Sequence, residues 1–347
     1  MSPLRKAPPD RLIPLEYALY TLALLATLLL CVCVGSVSVP LRSTLSALGS
    51  GLFGWPTEPG VPRAIILSVR VPRVLCVALS GASLSLCGAA MQGLLRIPLA
   101  DGSTLGVSAG ASLGAVVALA FGISIPGLPY AGTMGMAMAF AFGSLLLILS
   151  LAYALDRSLS THSIILIGII FSMFASALMS LVISFAGDKI RSITFWTMGS
   201  LAGSSYAYAG ILAAALALCG GVLLRLSREL NAFAVGEDNA RHVGVSVRRI
   251  KLTVLIAVSV LLGVCVSIGG TISFVGLVTP HAARMLVGPN HRRLLPASLY
   301  FGAVFLLLAD LIARIALRPI ELSLGVVTSL VGAVAFVLIF RSTRKVR

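Results

Sequence analysis

Long apolar runs separated by short polar stretches make up most of this chain. They fall near residues 17–37, 64–95, 104–122, 127–151, 162–186, 208–226, 248–269, 274–288, 295–316 and 322–340. A helix needs roughly 20 apolar residues to cross roughly 30 Å of hydrocarbon. The pattern therefore predicts an all-α polytopic membrane protein of about ten transmembrane helices, folded as one domain over 1–347. The eighth run differs from the rest. From Gly270 to Pro296 the chain is apolar but interrupted by glycines and Pro280, ends in the basic turn His291-Arg292-Arg293, and leads straight into another long apolar run. Backbone this broken is tolerated at membrane depth where it lines a path or takes part in a gate.

Composition narrows the class. Hydrophobic residues make up 58% of the chain and charged residues 11%, against about 25% charged in a soluble domain. The net charge of +15 sits at the ends of the apolar runs, which points to membrane topology and away from nucleic acid. Ten spans put both termini on one side. Taking that side as cytoplasmic places eighteen of the 26 lysines and arginines there and eight on the other. The expectation is a multi-pass protein of the bacterial inner membrane in contact with lipid, with segments 1–16 and 341–347 in the cytoplasm. The first apolar run is too long for the core of a signal peptide and reads as an uncleaved span. Cysteines 31, 33, 76, 87, 219 and 265 all lie within apolar runs without metal-ligand spacing, so they read as small core residues. Small residues recur every fourth position at Gly106, Gly110 and Gly114 and at Gly325, Ser329 and Ala333. Such stripes let helices approach closely in lipid.

Two loops are longer than their neighbours, 187–207 and 227–247. Long loops in compact domains bind partners or gate paths. Four blocks in order then carry a resemblance: Leu67–Gly114 (LSVRVPRVLCVALSGASLSLCGAAMQGLLRIPLADGSTLGVSAGASLG), Ile193–Leu201 (ITFWTMGSL), Val235–Val247 (VGEDNARHVGVSV), and the Gly270 stretch with LLLADLIARIALRPIELSLGVVTSLVGA behind it. Over about residues 15–342 the chain resembles the FecCD-type permease subunits of iron-chelate, haem and cobalamin ABC importers. It departs from their usual pattern at Ile97, Gly102, Thr271, Ser273, Ser323 and Val334. Prolines are lost at loop or break points and hydroxyls are gained.

The resemblance implies a type II ABC importer permease architecture and assigns roles. In Val235–Val247, Gly236, Glu237, Asp238, Arg241, His242 and Gly244 match the helix that couples the permease to its ATPase. Arg70, Arg73 and Arg314 match arginines that dock a periplasmic binding protein, a task that suits the bidentate guanidinium. Ser160, Thr161 and His162 stand where the family has its cytoplasmic gate. Lys189, Arg191, Thr271 and Ser273 are candidates for the substrate path. The implied partners are a second permease subunit, most simply in a homodimer, two ATP-binding cassette subunits and the binding protein. The chain itself is expected to hold no cofactor and to be no enzyme. Its four lysines, 6, 189, 251 and 345, complete no GxxxxGK[ST] motif, so ATP falls to the partner. Within the family, haem is the first expected cargo, ferric siderophore the next and cobalamin the third.

Several residues also have plainer readings. In pattern the arginines also match ordinary snorkelling side chains, and Asp310 pairs most simply with Arg314 four residues on. His281 and His291, ten apart, have no metal spacing. An ion-coupled secondary transporter also uses broken helices, but it requires acids at mid-span, where only Asp310 qualifies, and leaves Val235–Val247 unexplained. A receptor-like role fits less well still.

Overall fold

The computed structural model describes residues 11–37, 39–53, 60–97, 100–125, 131–157 and 160–345. Parts of three expectations lie outside them: most of segment 1–16, the end of the tail, and Pro98 and Leu99 of the Leu67–Gly114 block. The described residues form a helical bundle: α1 Pro14–Cys33, α2 Leu41–Phe53, α3 Ile65–Leu95, α4 Val107–Phe121, α5 Ala131–Leu155, α6 Thr161–Ser184, α7 Ile190–Thr197, α8 Tyr206–Arg225, α9 Ser227–Val235, α10 Glu237–His242, α11 Val247–Gly269, α12 Val275–Val287, α13 His291–Ile315 and α14 Leu324–Lys345. Among them, α1, α3, α5, α6, α8, α11 and α13 are long and apolar enough to cross a membrane; α4 and the Leu324–Leu338 part of α14 are shorter apolar helices. The short eighth segment is α12, with 13 residues. Helices α2, α7, α9 and α10 fall outside the predicted runs.

Local chemistry sets the helix ends. Pro14 occupies the first turn of α1, where its missing N–H costs nothing, and Glu16 accepts from the Ile13 N–H at 2.9 Å. The side chains of Ser160, Ser205 and Asn290 cap α6, α8 and α13 by accepting backbone N–H bonds. Pro72 lacks an N–H and crowds the carbonyl four residues back; α3 accommodates it by widening into a π-helical stretch over Ile65–Arg70. Pro280 in α12 likewise leaves the Gly276 carbonyl without its helical donor. The buried Gln92 side chain supplies one, its Nε2 donating to the Gly276 oxygen at 3.3 Å.

Helices α3 and α11 form the centre. In their apolar stretches 83% and 72% of residues are buried, against 11% in α1 and 22% in α6 and α8. Lipid tails are as apolar as leucine, so the centre is held by close backbone contact. A methyl added at Gly81 or Gly302 would collide with the other residue's carbonyl, and one at Gly88 would strike Gly276. The predicted small-residue stripe works this way too. Gly110 and Gly114 lie against Ser144, Phe140 and Met136 of α5.

Candidate functional site

At one end of the bundle, Gly236 takes φ +144° between α9 and α10, a conformation that favours glycine. The turn splits the expected coupling residues into two sets. Asp238, Arg241, His242 and Gly244 are exposed, with Val235 and Val243 beside them. Asp238 and Arg241 approach only to 3.7 Å at the surface, so both remain available to a partner. Glu237 points inward. Its Oε1 accepts from Thr161 Oγ1 at 2.8 Å and from Lys251 Nζ at 2.8 Å. Burial works to raise the Glu237 pKa, but the hydrogen bonds from Lys251 and Thr161 outweigh it and hold the carboxyl below its usual value.

This contact brings the expected gate and the coupling loop together. Thr161 is the first residue of α6; Ser160 caps that helix and donates its backbone N–H to Asp156 at 3.1 Å. His162 is exposed and makes no hydrogen bond among the described residues. Lys251 has its side chain only 1% exposed; in the sequence it is one more topology charge at the start of a span.

The expected docking arginines lie inside the bundle. Arg70, Arg73 and Arg314 are 5%, 6% and 3% exposed, and their guanidinium groups are engaged inside the chain. Arg70 donates to the carbonyls of Val32 at 3.0 Å, Cys33 at 3.1 Å and Val37. Arg314 donates to those of Cys31 at 3.0 Å and Val34 at 3.1 Å. These are the last carbonyls of α1 and the turn after it, which have no helical partner and sit at the negative end of the helix dipole. Arg73 bonds Asp310 through Nε and Nη2 at 3.0 and 2.9 Å and Glu321 through Nη1 at 2.7 Å. Asp310 also pairs with Arg314 at 2.9 Å, the expected i,i+4 contact. Burial works to raise the Glu321 pKa, and the bond from Arg73 outweighs it. In this chain the three fasten α1, α3 and α13 together.

The break between α11 and α12 is knitted to the loop after α7. Ser200 N–H donates to the Gly269 carbonyl at 2.8 Å, Thr271 Oγ1 to the Thr197 carbonyl, and Gly325 N–H to Gly199 at 3.4 Å. Thr271 is thus a structural tie, whereas Ser273 is exposed. The break separates two cavities. The larger, about 540 Å³, is lined by Arg191, Phe195, Trp196, Tyr208, Ser267 and Gly270 among others. The smaller, about 110 Å³, holds Asp101, Ser108, Thr271 and Ser273. Arg191 lies over the Phe195 ring at 5.7 Å. Lys189 is exposed, with its amine beside Gly122 at the C-terminus of α4, where a cation suits the helix dipole. His291 is buried, its ring Nδ1 lying 2.8 Å from Asn231 Oδ1. Arg284 donates to Gln92 Oε1 at 3.1 Å. Both residues shape this turn, and no cluster able to hold a metal occurs among the described residues.

Comparison with known proteins places this geometry among relatives. The family model described as the FecCD transport family matches residues 23–342. The chain is 41% identical to the uncharacterized ABC transporter permease protein YvrB of Bacillus subtilis, covering 93% of each chain. It is 35% identical to the molybdate import system permease protein MolB of Haemophilus influenzae (93% of this chain, 95% of that one). It is 37% identical to the vitamin B12 import system permease protein BtuC of Klebsiella pneumoniae (93% and 92%). A solved structure described as an inward-facing metal-chelate type ABC transporter superposes with a TM-score of 0.83 at 33% identity, covering 95% of this chain and all of that one.

Proposed function

This chain belongs to the FecCD transport family, and on that premise we propose that it works as a homodimer passing an iron complex from a periplasmic binding protein to the cytoplasm. It is a multi-pass membrane permease subunit of an ABC importer, not itself an ATPase. In this reading the α10 end faces the cytoplasm, where the positive-inside rule puts the richer share of cations. Asp238, Arg241, His242 and Gly244 meet one of two ATP-binding cassette subunits. Ser160, Thr161 and His162 at the start of α6 form the gate. Exposed apolar side chains on α6 (Leu166, Ile170, Met173, Phe174) and α14 (Leu330, Val334) support a second copy closing a shared path on a two-fold axis.

The observation that carries the cargo class is the 540 Å³ cavity at the end opposite α10. It pairs one guanidinium with three aromatic rings and several hydroxyls, and its size falls in the range of small-molecule sites, roughly 300–1,000 Å³. A bulky, largely apolar chelate with carboxylates fits that chemistry. Haem, with two propionates, is the first candidate and a ferric siderophore the second. Cobalamin is a further reading, favoured by the likeness to the Klebsiella permease. Proteoliposomes holding the permease, its ATPase and its binding protein test this when haemin, ferric siderophores and cobalamin are offered in parallel. ATP-driven accumulation of haemin is expected. Accumulation of cobalamin alone overturns the cargo assignment, and accumulation driven by an ion gradient without the ATPase overturns the transport class.

A further inference from the structure

We propose that Lys251 is a positioning residue for transport: with Glu237 and Thr161 it forms the joint that carries a movement of α10 to the gate end of α6. The inference rests on the reading above that the outer face of α10 meets the ATPase. It adds a residue outside the coupling loop and a route between two segments far apart in sequence.

The argument begins with the carboxylate. One oxygen of Glu237, the first residue of α10, receives both the Lys251 ammonium and the Thr161 hydroxyl, each at 2.8 Å. Three elements therefore meet at a single atom. They differ in how firmly they are held. Lys251 belongs to α11, whose apolar stretch is 72% buried in the bundle, whereas that of α6 is only 22% buried. Helix α11 is anchored within this chain, and α6, where the proposed gate begins, is the element on which the joint acts.

The Lys251 side chain is 1% exposed. Taking a carboxylate away from an ammonium buried this deeply is costly, so the amine keeps Glu237 turned inward while Asp238, Arg241 and His242 face out. A load on those three residues must then turn α10 about its pinned first residue. The Thr161 hydroxyl bond passes that turn to the first residue of α6. The neighbouring tie, Ser160 N–H to Asp156 at 3.1 Å, links the same helix start to the segment after α5. Thr161 is thus held between the coupling helix on one side and the end of α5 on the other. A merely structural lysine would need no such third partner on its carboxylate.

The test uses the permease reconstituted with its own ATPase subunit, so that no cargo need be known. The six native cysteines are replaced, His162→Cys is introduced, and its maleimide labelling rate is measured with and without ATP and vanadate. In the parent, nucleotide is expected to change the rate several-fold. Lys251→Met, Glu237→Gln and Thr161→Val should each reduce that response about tenfold, a typical size for coupling between sites, while the ATPase stays bound and active. Thr161→Ser should restore it. The double variant Glu237→Gln/Lys251→Met should be no worse than either single, as expected of residues acting as one unit. Thr161→Val removes only a half-buried hydroxyl and guards against Lys251→Met failing to fold. A full nucleotide response in Thr161→Val and Glu237→Gln overturns the proposal. So does loss of ATPase binding in Glu237→Gln, which would make Glu237 a docking contact. If Asp238→Lys/Arg241→Glu leaves the ATPase bound, the docking reading fails and the joint with it. That failure is told apart because it appears with Lys251, Glu237 and Thr161 intact.

Discussion

The two ends of the bundle use charged side chains in opposite ways. Around Asp310, three arginines and one carboxylate are turned inward, Arg73 also bonds the exposed Glu321, and five backbone carbonyls at the end of α1 and just after it accept from Arg70 and Arg314. Around α10, one ion pair is turned inward and the remaining charges stand in solvent. The first arrangement locks three helices. The second keeps a short helix hinged on one residue with a free outer face. From residue types and positions alone, both ends had read as surfaces for partners. The difference teaches that an arginine at the end of a span must first be tested against the orphan carbonyls of neighbouring helices.

This contrast can be broken by mutation. The largest effect is expected from Asp310→Asn, which leaves Arg73 and Arg314 without their shared carboxylate in a buried site. Breaking a buried pair costs about 3–5 kcal/mol, so melting in detergent should fall sharply and little folded protein should be recovered. Arg70→Met strands three carbonyls; the buried one of Val32 costs about 1–3 kcal/mol, while water can reach the part-buried other two. This substitution should lower the melting temperature less and loosen α1, read as faster amide exchange near Cys33. Arginine-to-glutamate changes at Arg70 and Arg73 should act in the same way, through folding, before any docking can be assayed.

Smaller effects are expected at the α10 end. His162→Ser should leave the pH profile of transport unchanged, since His162 is exposed and makes no hydrogen bond among the described residues. A shifted profile would make the gate pH-sensitive through His162. Acidification should barely disturb the joint. Glu237 is held below its usual value of 4.5 by Lys251 and Thr161. The stability it adds is fully present above the unfolded pKa and is lost only as pH falls through the lower folded one. The labelling rates themselves fall with the thiolate fraction, but the fold-change that nucleotide makes at position 162 should be the same at neutral pH and at about pH 5.

Much of the fold could be read from the sequence because lipid imposes a simple rule on it. Apolar length reports helices, and the glycines at 269–270 with Pro280 reported the break. The small-residue stripe at Gly106, Gly110 and Gly114 reported close packing. What stayed hidden were pairings at long separation. Nothing local to Thr271 says that its hydroxyl meets the Thr197 carbonyl. Nothing local to Arg70 says that it caps a helix ending 37 residues earlier. Helix α2, Leu41–Phe53, mixes Ser and Gly among its leucines and lacks the unbroken apolar run by which spans were recognised. At the candidate site, the coupling loop was found as a block, but spacing could not tell which of its acids turns inward. Gly236 decides that by rotating the start of α10. The sequence does mark Lys251 as a lone lysine one turn into an apolar helix, deeper than Arg248 and Arg249.

The most direct test is the affinity of the ATPase subunit for the reconstituted permease carrying Asp238→Lys/Arg241→Glu. Binding should weaken at least about tenfold, as for lost charge complementarity at an interface, with an unchanged melting temperature. Unchanged binding, or a fall in melting temperature like that of Asp310→Asn, would contradict the account of α10 as the free working face.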